Sequence, residues 1–281
     1  MDEAVGTTVH CAVLGSPVEH SLSPVLHRAA YRALGLSGWD YVRHRVEAAE
    51  LAGFVDGLDA SWRGLSLTMP LKEAALDLGP VDRYAELVGA ANTLLLPERS
   101  VHNTDVPGLA LALRAAGVVR LDTVTLLGTG ATCRSALASV AELGANRVLV
   151  VARTPAKAEP LRELASLLGI DLEVAEWSGV AAGGFPLPET DLTVSGVVAG
   201  AADVLADQVA ARSAAVFDVI YHPWPTRLAG ASEQAGRIVC HGLDLLVHQA
   251  VEQVRLMTGR DVDASVLMSA GRSELGLPAD L

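Results

Sequence analysis

Short apolar runs and longer stretches of helical spacing take turns along almost the whole chain. The first run, Val9–Gly15, is apolar and closes on glycine, as a buried strand does. Residues 41–46 form a second run. In residues 64–69, Leu65, Leu67 and Met69 alternate with Ser66 and Thr68 as one face of a third strand, which Pro70 stops. Helical spacing fills residues 25–34, ended by Gly35, then residues 48–58, 71–78 and 82–88. A turn at residues 89–92 leads into another strand, and a further segment begins at Val101.

The second half repeats the scheme. Residues 109–116 predict a helix, residues 123–127 a strand, and residues 147–152 another strand after a helix that ends at Gly144. Strands follow at residues 192–196, 215–221 and 237–240, and a last helix runs from near Leu243 to Thr258. Alternation of this kind predicts an α/β protein with a mainly parallel sheet.

Composition narrows the class. The 281 residues are 51% hydrophobic and only 4% aromatic, with 26 glycines, which suits an α/β chain better than a β-sandwich. A net charge of −12 without any basic run argues against nucleic-acid or membrane-surface partners. Cys11, Cys133 and Cys240 are unclustered, so neither a CxxC metal site nor a disulfide framework is expected. With no signal pattern and no apolar run of spanning length, a soluble cytoplasmic protein is expected.

Two lysines stand out because every other fixed positive charge is an arginine: Lys72 and Lys157. A lysine ammonium gives up and regains a proton far more readily than a guanidinium. Lys72 follows the third strand directly, at the carboxyl end where α/β proteins bind ligands. Asn92 and Asp105 also fall at strand ends of the same sheet, and a carboxylate beside a lysine makes an acid/base pair. Ser23 and Pro24 read as N-cap and first residue of a helix, which leaves Ser21 without a local duty. The two hydroxyls at that helix start form a candidate carboxylate site.

In the second half, Gly128-Thr129-Gly130-Ala131 lies between a strand and a helix, the setting of a dinucleotide fingerprint, with Cys133 where the third glycine is expected. The next strand ends in Arg153, Thr154 and Lys157 rather than in an acid, which suits a 2′-phosphate and so NADP over NAD. Gln249 shares a helix face with Leu245, Leu246, Gln253 and Leu256; it is expected either exposed or reaching back to the first domain.

These motifs, in this order, resemble the shikimate dehydrogenase family. The resemblance rests on Gly15-Ser16-Pro17 with residues 20–24, on residues 67–72, on Gly89-Ala90-Ala91-Asn92-Thr93, on Asn103-Thr104-Asp105, on residues 218–221 with Pro223 and Thr226, and on residues 242–249. It implies a substrate domain over residues 1–107, completed by residues 243–281 with the C-terminal helices returning to it, and a Rossmann NADP-binding domain over residues 108–242. It further implies NADPH-dependent reduction of 3-dehydroshikimate to shikimate by a monomer or homodimer. Ser21 and Ser23 would hold the carboxylate, Thr68, Asn92 and Gln249 the ring hydroxyls, with Tyr221 at the edge. Lys72 and Asp105 would be the acid/base pair, the lysine either transferring the proton or positioning substrate. Gly128, Thr129, Gly130, Ala131, Arg153, Thr154, Lys157, Val219 and Gly242 would line the cofactor. The pattern departs from the family at Ser66, where Asn is common, at Ala131, and at Val194-Ser195-Gly196. Two alternatives stay open: a quinate/shikimate or aminoshikimate dehydrogenase relative, and a non-catalytic NADP-binding regulator of the same fold.

Overall fold

Val9–Gly15 becomes the strand β1, and its alternation decides how the first sheet is buried. Ala12 and Leu14 join one apolar cluster with Leu65, Leu67, Leu71 and Leu94, while Cys11 and Val13 join another with Tyr31, Tyr41 and Met257. Successive side chains of a strand point to opposite faces, so the unbroken apolar stretch of residues 11–14 is covered on both sides. The structure is a computed structural model that describes residues 8–96 and 98–278; residues 1–7 and 279–281, at the ends of the expected first domain, lie outside them.

On either side of β1 lie β2 (Trp39–Arg45) and β3 (Trp62–Leu67), both parallel to it. Two short strands, β4 (Thr93–Leu95) and β5 (Ser100–His102), complete a five-stranded sheet in the order β2-β1-β3-β4-β5. Both of their pairings are antiparallel, and the link between them is too short for the crossover that a parallel pair needs. Helices α1 (Ser23–Ala33), α2 (Leu51–Asp56), α3 (Leu71–Ala74) and α4 (Arg83–Val88) alternate with these strands.

After α5 (Asp105–Ala115) the chain builds a second sheet of six parallel strands, ordered β11-β10-β9-β6-β7-β8. In chain order these are β6 (Thr123–Leu127), β7 (Arg147–Ala152), β8 (Asp171–Glu176), β9 (Thr190–Ser195), β10 (Ser213–Asp218) and β11 (Ile238–His241). They are joined through α6 (Ala131–Glu142), α7 (Glu159–Leu168), α8 (Trp177–Ala181), α9 (Ala206–Arg212) and α10 (Arg227–Gln234). The order reverses at β6, a doubly wound arrangement whose switch point lies between β6 and β9. Helix α11 (Gly242–Thr258) and then α12 (Ala264–Leu275) end the described chain.

Contacts divide the chain into two units: residues through Thr104 together with those from Leu246 onward, and Asp105–Leu245. Helix α11 starts in the second unit and continues in the first. Among the described residues, no helix is long and apolar enough to cross a membrane.

Several local expectations need correction. Helix α1 starts one residue early: Leu22 already has helical backbone angles, so Ser23 is the first helical residue and does not cap. The third strand ends at Leu67 instead of Met69, which is 64% exposed. There the chain turns across the end of β1: Thr68 N–H donates to Leu14 O at 2.9 Å and Ser16 N–H to Met69 O at 2.9 Å. Gly15 is required at this crossing, since a Cβ on it would lie 2.3 Å from Thr68 Cγ2. Strand β10 stops at Asp218, and α12 follows what the pattern showed as the last helix.

Candidate active site

In the first unit the candidate residues gather at the carboxyl end of β3. Thr68 leaves the strand, and Leu71 N–H donates to its carbonyl at 2.8 Å to start α3. Lys72, half-buried, is the second residue of that helix. Its carbonyl accepts Ala91 N–H at 2.7 Å, which ties the Gly89–Asn92 turn beneath the lysine. Gly89 makes the turn possible by taking a left-handed conformation, φ 63°. The next residue, Asn92, is clamped between strands: its N–H donates to His102 O at 3.0 Å and its carbonyl accepts Leu67 N–H at 2.7 Å. Lys72 and Asn92 are therefore neighbours fixed by backbone bonds.

The Asn92 side chain is buried and fully engaged. Its Oδ1 accepts Thr104 N–H at 2.9 Å, and its Nδ2 donates to Thr104 Oγ1 at 2.9 Å and to Gln249 Oε1 at 3.3 Å. Asn103 Nδ2 donates to Ala90 O at 2.7 Å, so the segment that carries Thr104 is pinned to the same turn. Gln249, 6% exposed, stands on the part of α11 that belongs to the first unit and faces Asn92, the second of the two positions its sequence allowed. Asp105, buried, follows Thr104 and opens α5.

Ser21 has a local duty after all. Its Oγ accepts Ser23 N–H at 3.3 Å and donates to Ser23 Oγ at 3.2 Å, so the two hydroxyls are brought together as a pair. A residue absent from the sequence reading holds this turn: Arg43 on β2 donates from Nη2 and Nε to Ser21 O at 2.5 and 3.0 Å. Nothing in the sequence around Arg43 marks it, since an exposed strand arginine is ordinary.

In the second unit, β6 feeds the Gly128–Gly130 turn into α6 at the switch point. Gly128 sits at φ +112°, and a Cβ there would also press on Val197 at 3.1 Å, so the fold itself demands glycine. Gly130 is different: its backbone is extended, and a Cβ would meet no atom within 4 Å. Packing gives no reason for glycine there. A pyrophosphate lying against that backbone does, and the site fits a dinucleotide on this count. Cys133 occupies the place of the third glycine because Gly196 yields to it; a Cβ on Gly196 would lie 2.4 Å from its sulfur. Burial pushes that thiol up to about 12, so it stays a neutral packing group.

A cleft of about 660 Å³ opens here, lined by Gly128, Thr129, Gly130, Arg153, Thr154 and Lys157 among others. Arg153, Thr154 and Lys157 are all exposed, and they group three donors at one end of the glycine turn. Trp177, at the start of α8, also lines this cleft and was not foreseen. Ala131 follows as the first residue of α6.

Val219 and Gly242 lie further along the sheet, at the ends of β10 and β11. They meet closely: a Cβ on Gly242 would lie 2.2 Å from Val219 O, which makes glycine a packing requirement there. Tyr221 is half-buried in the loop that follows β10. Asp218 organises that loop, accepting Thr226 Oγ–H at 2.7 Å while Thr226 caps α10 by accepting Ala229 N–H at 3.1 Å. Burial raises the Asp218 carboxyl above its usual range, against the hydrogen bond from Thr226.

A doubly wound sheet with a glycine turn and a cationic cleft, joined in one chain to a lysine–amide cluster, defines the class: a dinucleotide-dependent α/β oxidoreductase. Comparison with known proteins narrows it. Residues 13–94 match the shikimate dehydrogenase substrate binding domain, and residues 242–270 the shikimate 5′-dehydrogenase C-terminal domain. A shikimate dehydrogenase (NADP(+)) of Methanothrix thermoacetophila is 38% identical over 94% of this chain and 97% of its own. The crystal structure of Mycobacterium tuberculosis shikimate dehydrogenase is 39% identical, with TM-score 0.85 over 94% of this chain and 99% of that one. The shikimate 5-dehydrogenase of Thermus thermophilus, in complex with NADP(H) and shikimate, is 31% identical, with TM-score 0.79 over 95% and 99%. The chain belongs to the shikimate dehydrogenase family.

Proposed function

We propose that this chain reduces 3-dehydroshikimate to shikimate with NADPH, reversibly, and that the first unit holds the substrate and the second the cofactor. The observation that carries the reading is the cluster at the end of β3, where Lys72, Asn92, Thr104 and Gln249 are fixed by backbone and side-chain bonds. The relatives named above carry this activity, or this ligand pair, in their names.

Ser21 and Ser23 present their hydroxyls to the substrate carboxylate, and Thr68, Asn92 and Gln249 hold the ring hydroxyls, with Tyr221 at the rim. Buried amides suit this task, because a ligand that lacks the matching hydroxyl leaves them unpaired at a cost of about 1–3 kcal/mol each. NADP(H), when bound, supplies or accepts the hydride. Gly128, Thr129, Gly130 and Ala131 receive the pyrophosphate, Arg153, Thr154 and Lys157 the 2′-phosphate, and Val219 and Gly242 the nicotinamide end. Lys72 delivers the proton to the carbonyl oxygen that becomes the alcohol, with Asp105 as the other member of the acid/base pair. The protein works in the cytoplasm, as a monomer or homodimer, without nucleic-acid or membrane partners.

Initial rates with shikimate and with quinate, each against NADP+ and NAD+, test the reading. Turnover of shikimate with NADP+ at the highest kcat/KM is expected; a preference for quinate, or no turnover in any combination, would overturn it.

A further inference from the structure

Gln253 lies one helical turn beyond Gln249 on α11 and is 1% exposed. A buried primary amide brings two donors and two acceptor lone pairs that all need partners. Here all are met. Nε2 donates to Asn92 O at 3.1 Å and to Thr93 Oγ1 at 2.9 Å. Oε1 accepts Ser66 Oγ–H at 2.7 Å and faces His27 Nε2 at 3.2 Å.

The sense of these bonds follows from one fact: a backbone carbonyl only accepts. Asn92 O therefore fixes which end of the Gln253 amide is nitrogen. With Oε1 on the other side, His27 carries its hydrogen on Nε2, and its Nδ1 meets no partner among the described residues. Ser66 donates to Gln253, so it accepts from Tyr41 O–H at 2.5 Å. Thr93 accepts from Gln253, so its own hydrogen goes to Asn92 Oδ1 at 2.9 Å. That leaves Asn92 Nδ2 directed at Thr104 and Gln249. Gln249 Nε2 in turn donates to Leu246 O at 2.6 Å.

We infer that Gln253 is a positioning residue of the substrate pocket: together with the Thr104 N–H it holds the donor and acceptor ends of Asn92, through Thr93, and it sets those of Ser66, without touching substrate itself. Ser66 takes part because it is a serine. A larger side chain at that position would have to displace either the Tyr41 hydroxyl or the Gln253 amide, both within hydrogen-bond distance of its oxygen. The inference rests on the reading that Asn92 and Gln249 hold the substrate ring.

The test uses the full chain with Gln253→Met, which keeps length and removes the amide, and Thr93→Val, which keeps shape and removes the hydroxyl that links the Gln253 amide to Asn92. Both are expected to raise the KM for shikimate about tenfold while leaving the KM for NADP+ at the wild-type value. Gln253→Glu should behave likewise at neutral pH, where a carboxylate cannot donate to Asn92 O, and recover relative to wild type on acidification as the carboxyl gains a hydrogen. An unchanged KM for shikimate in folded Gln253→Met, or in Thr93→Val should Gln253→Met not fold, would overturn the inference. So would a rise in both KM values together, the mark of general loosening. Failure of the wild type to turn over shikimate would instead sink the proposed function.

Discussion

The two candidate sites are built on opposite plans. At the end of β3 the polar side chains are buried and bonded to one another: Asn92, Thr104, Gln249 and Gln253 satisfy each other before any ligand arrives. Beside the second sheet, Arg153, Thr154 and Lys157 are exposed, and Gly130 presents bare backbone to open space. One site is organised by the protein, the other is left for its ligand to organise. A rigid, desolvated pocket discriminates among small hydroxylated rings, since an unmatched buried donor is costly. A solvated cationic cleft suits a long, charged ligand that carries its own binding groups.

The largest effect expected from breaking this contrast is at Lys72, the proposed proton donor. Lys72→Ala should lower kcat by on the order of a hundredfold or more and leave the KM for shikimate little changed. Steady-state rates measure this directly, and unchanged turnover would show that the lysine is not the proton donor.

The two glycines of the β6–α6 turn sharpen the contrast next. Gly128→Ala places a side chain at positive φ against Val197 and should destabilise the second unit by about 1–3 kcal/mol, read by thermal melting. Gly130→Ala puts its Cβ where no protein atom lies within 4 Å and should leave the melting temperature unchanged while raising the KM for NADP+ sharply. Equal melting losses in both would mean that Gly130 too is held by packing and not by a ligand.

Arg153→Ala and Lys157→Ala should each raise the KM for NADP+ by about tenfold, with rates on NAD+ nearly unmoved, because each residue is proposed to make a charge-assisted bond to the 2′-phosphate alone. Their exposure predicts stability within about 0.5 kcal/mol of wild type. A parallel loss on both cofactors would place these residues elsewhere on the dinucleotide.

The same contrast explains what could be read from the sequence. Strands covered on both faces, such as β1 and β6, announce themselves as apolar runs, and glycine at positive φ marks its own turn. Strand β8 was missed because it is an edge strand, with Asp171, Glu173 and Glu176 along it and little apolar signal. Ser23 was misplaced because Ser-Pro is as good a first turn as it is a cap, and only the backbone at Leu22 distinguishes the two. The exposed cations were legible, since exposed ligand-binding groups owe nothing to partners far along the chain. Gln253 was seen only as a face neighbour of Gln249: its meaning lies in Ser66, Thr93 and His27, more than 150 residues away. Arg43 had no signal of its own because an exposed strand arginine is ordinary, and Trp177 because it lies outside the glycine turn and the strand end that mark the cleft.

His27 offers the test most specific to the buried site. It lies against Tyr41, ring centroids 4.0 Å apart, and burial drives its pKa from 6.5 down to about 3. The folded chain keeps the imidazole neutral, whereas the unfolded chain protonates it below about 6.5. Its share of stability is thus complete above that pH and is lost as pH falls from about 6.5 toward about 3. The loss approaches about 1.4 kcal/mol per pH unit, the limit for one proton. His27→Phe keeps a ring against Tyr41 and removes the titration. Denaturant midpoints at pH 7.5 and pH 5 should therefore fall further for wild type than for the variant. Parallel curves would mean that water reaches His27 and that the network around Gln253 is open to solvent, which would erase the difference between the two sites.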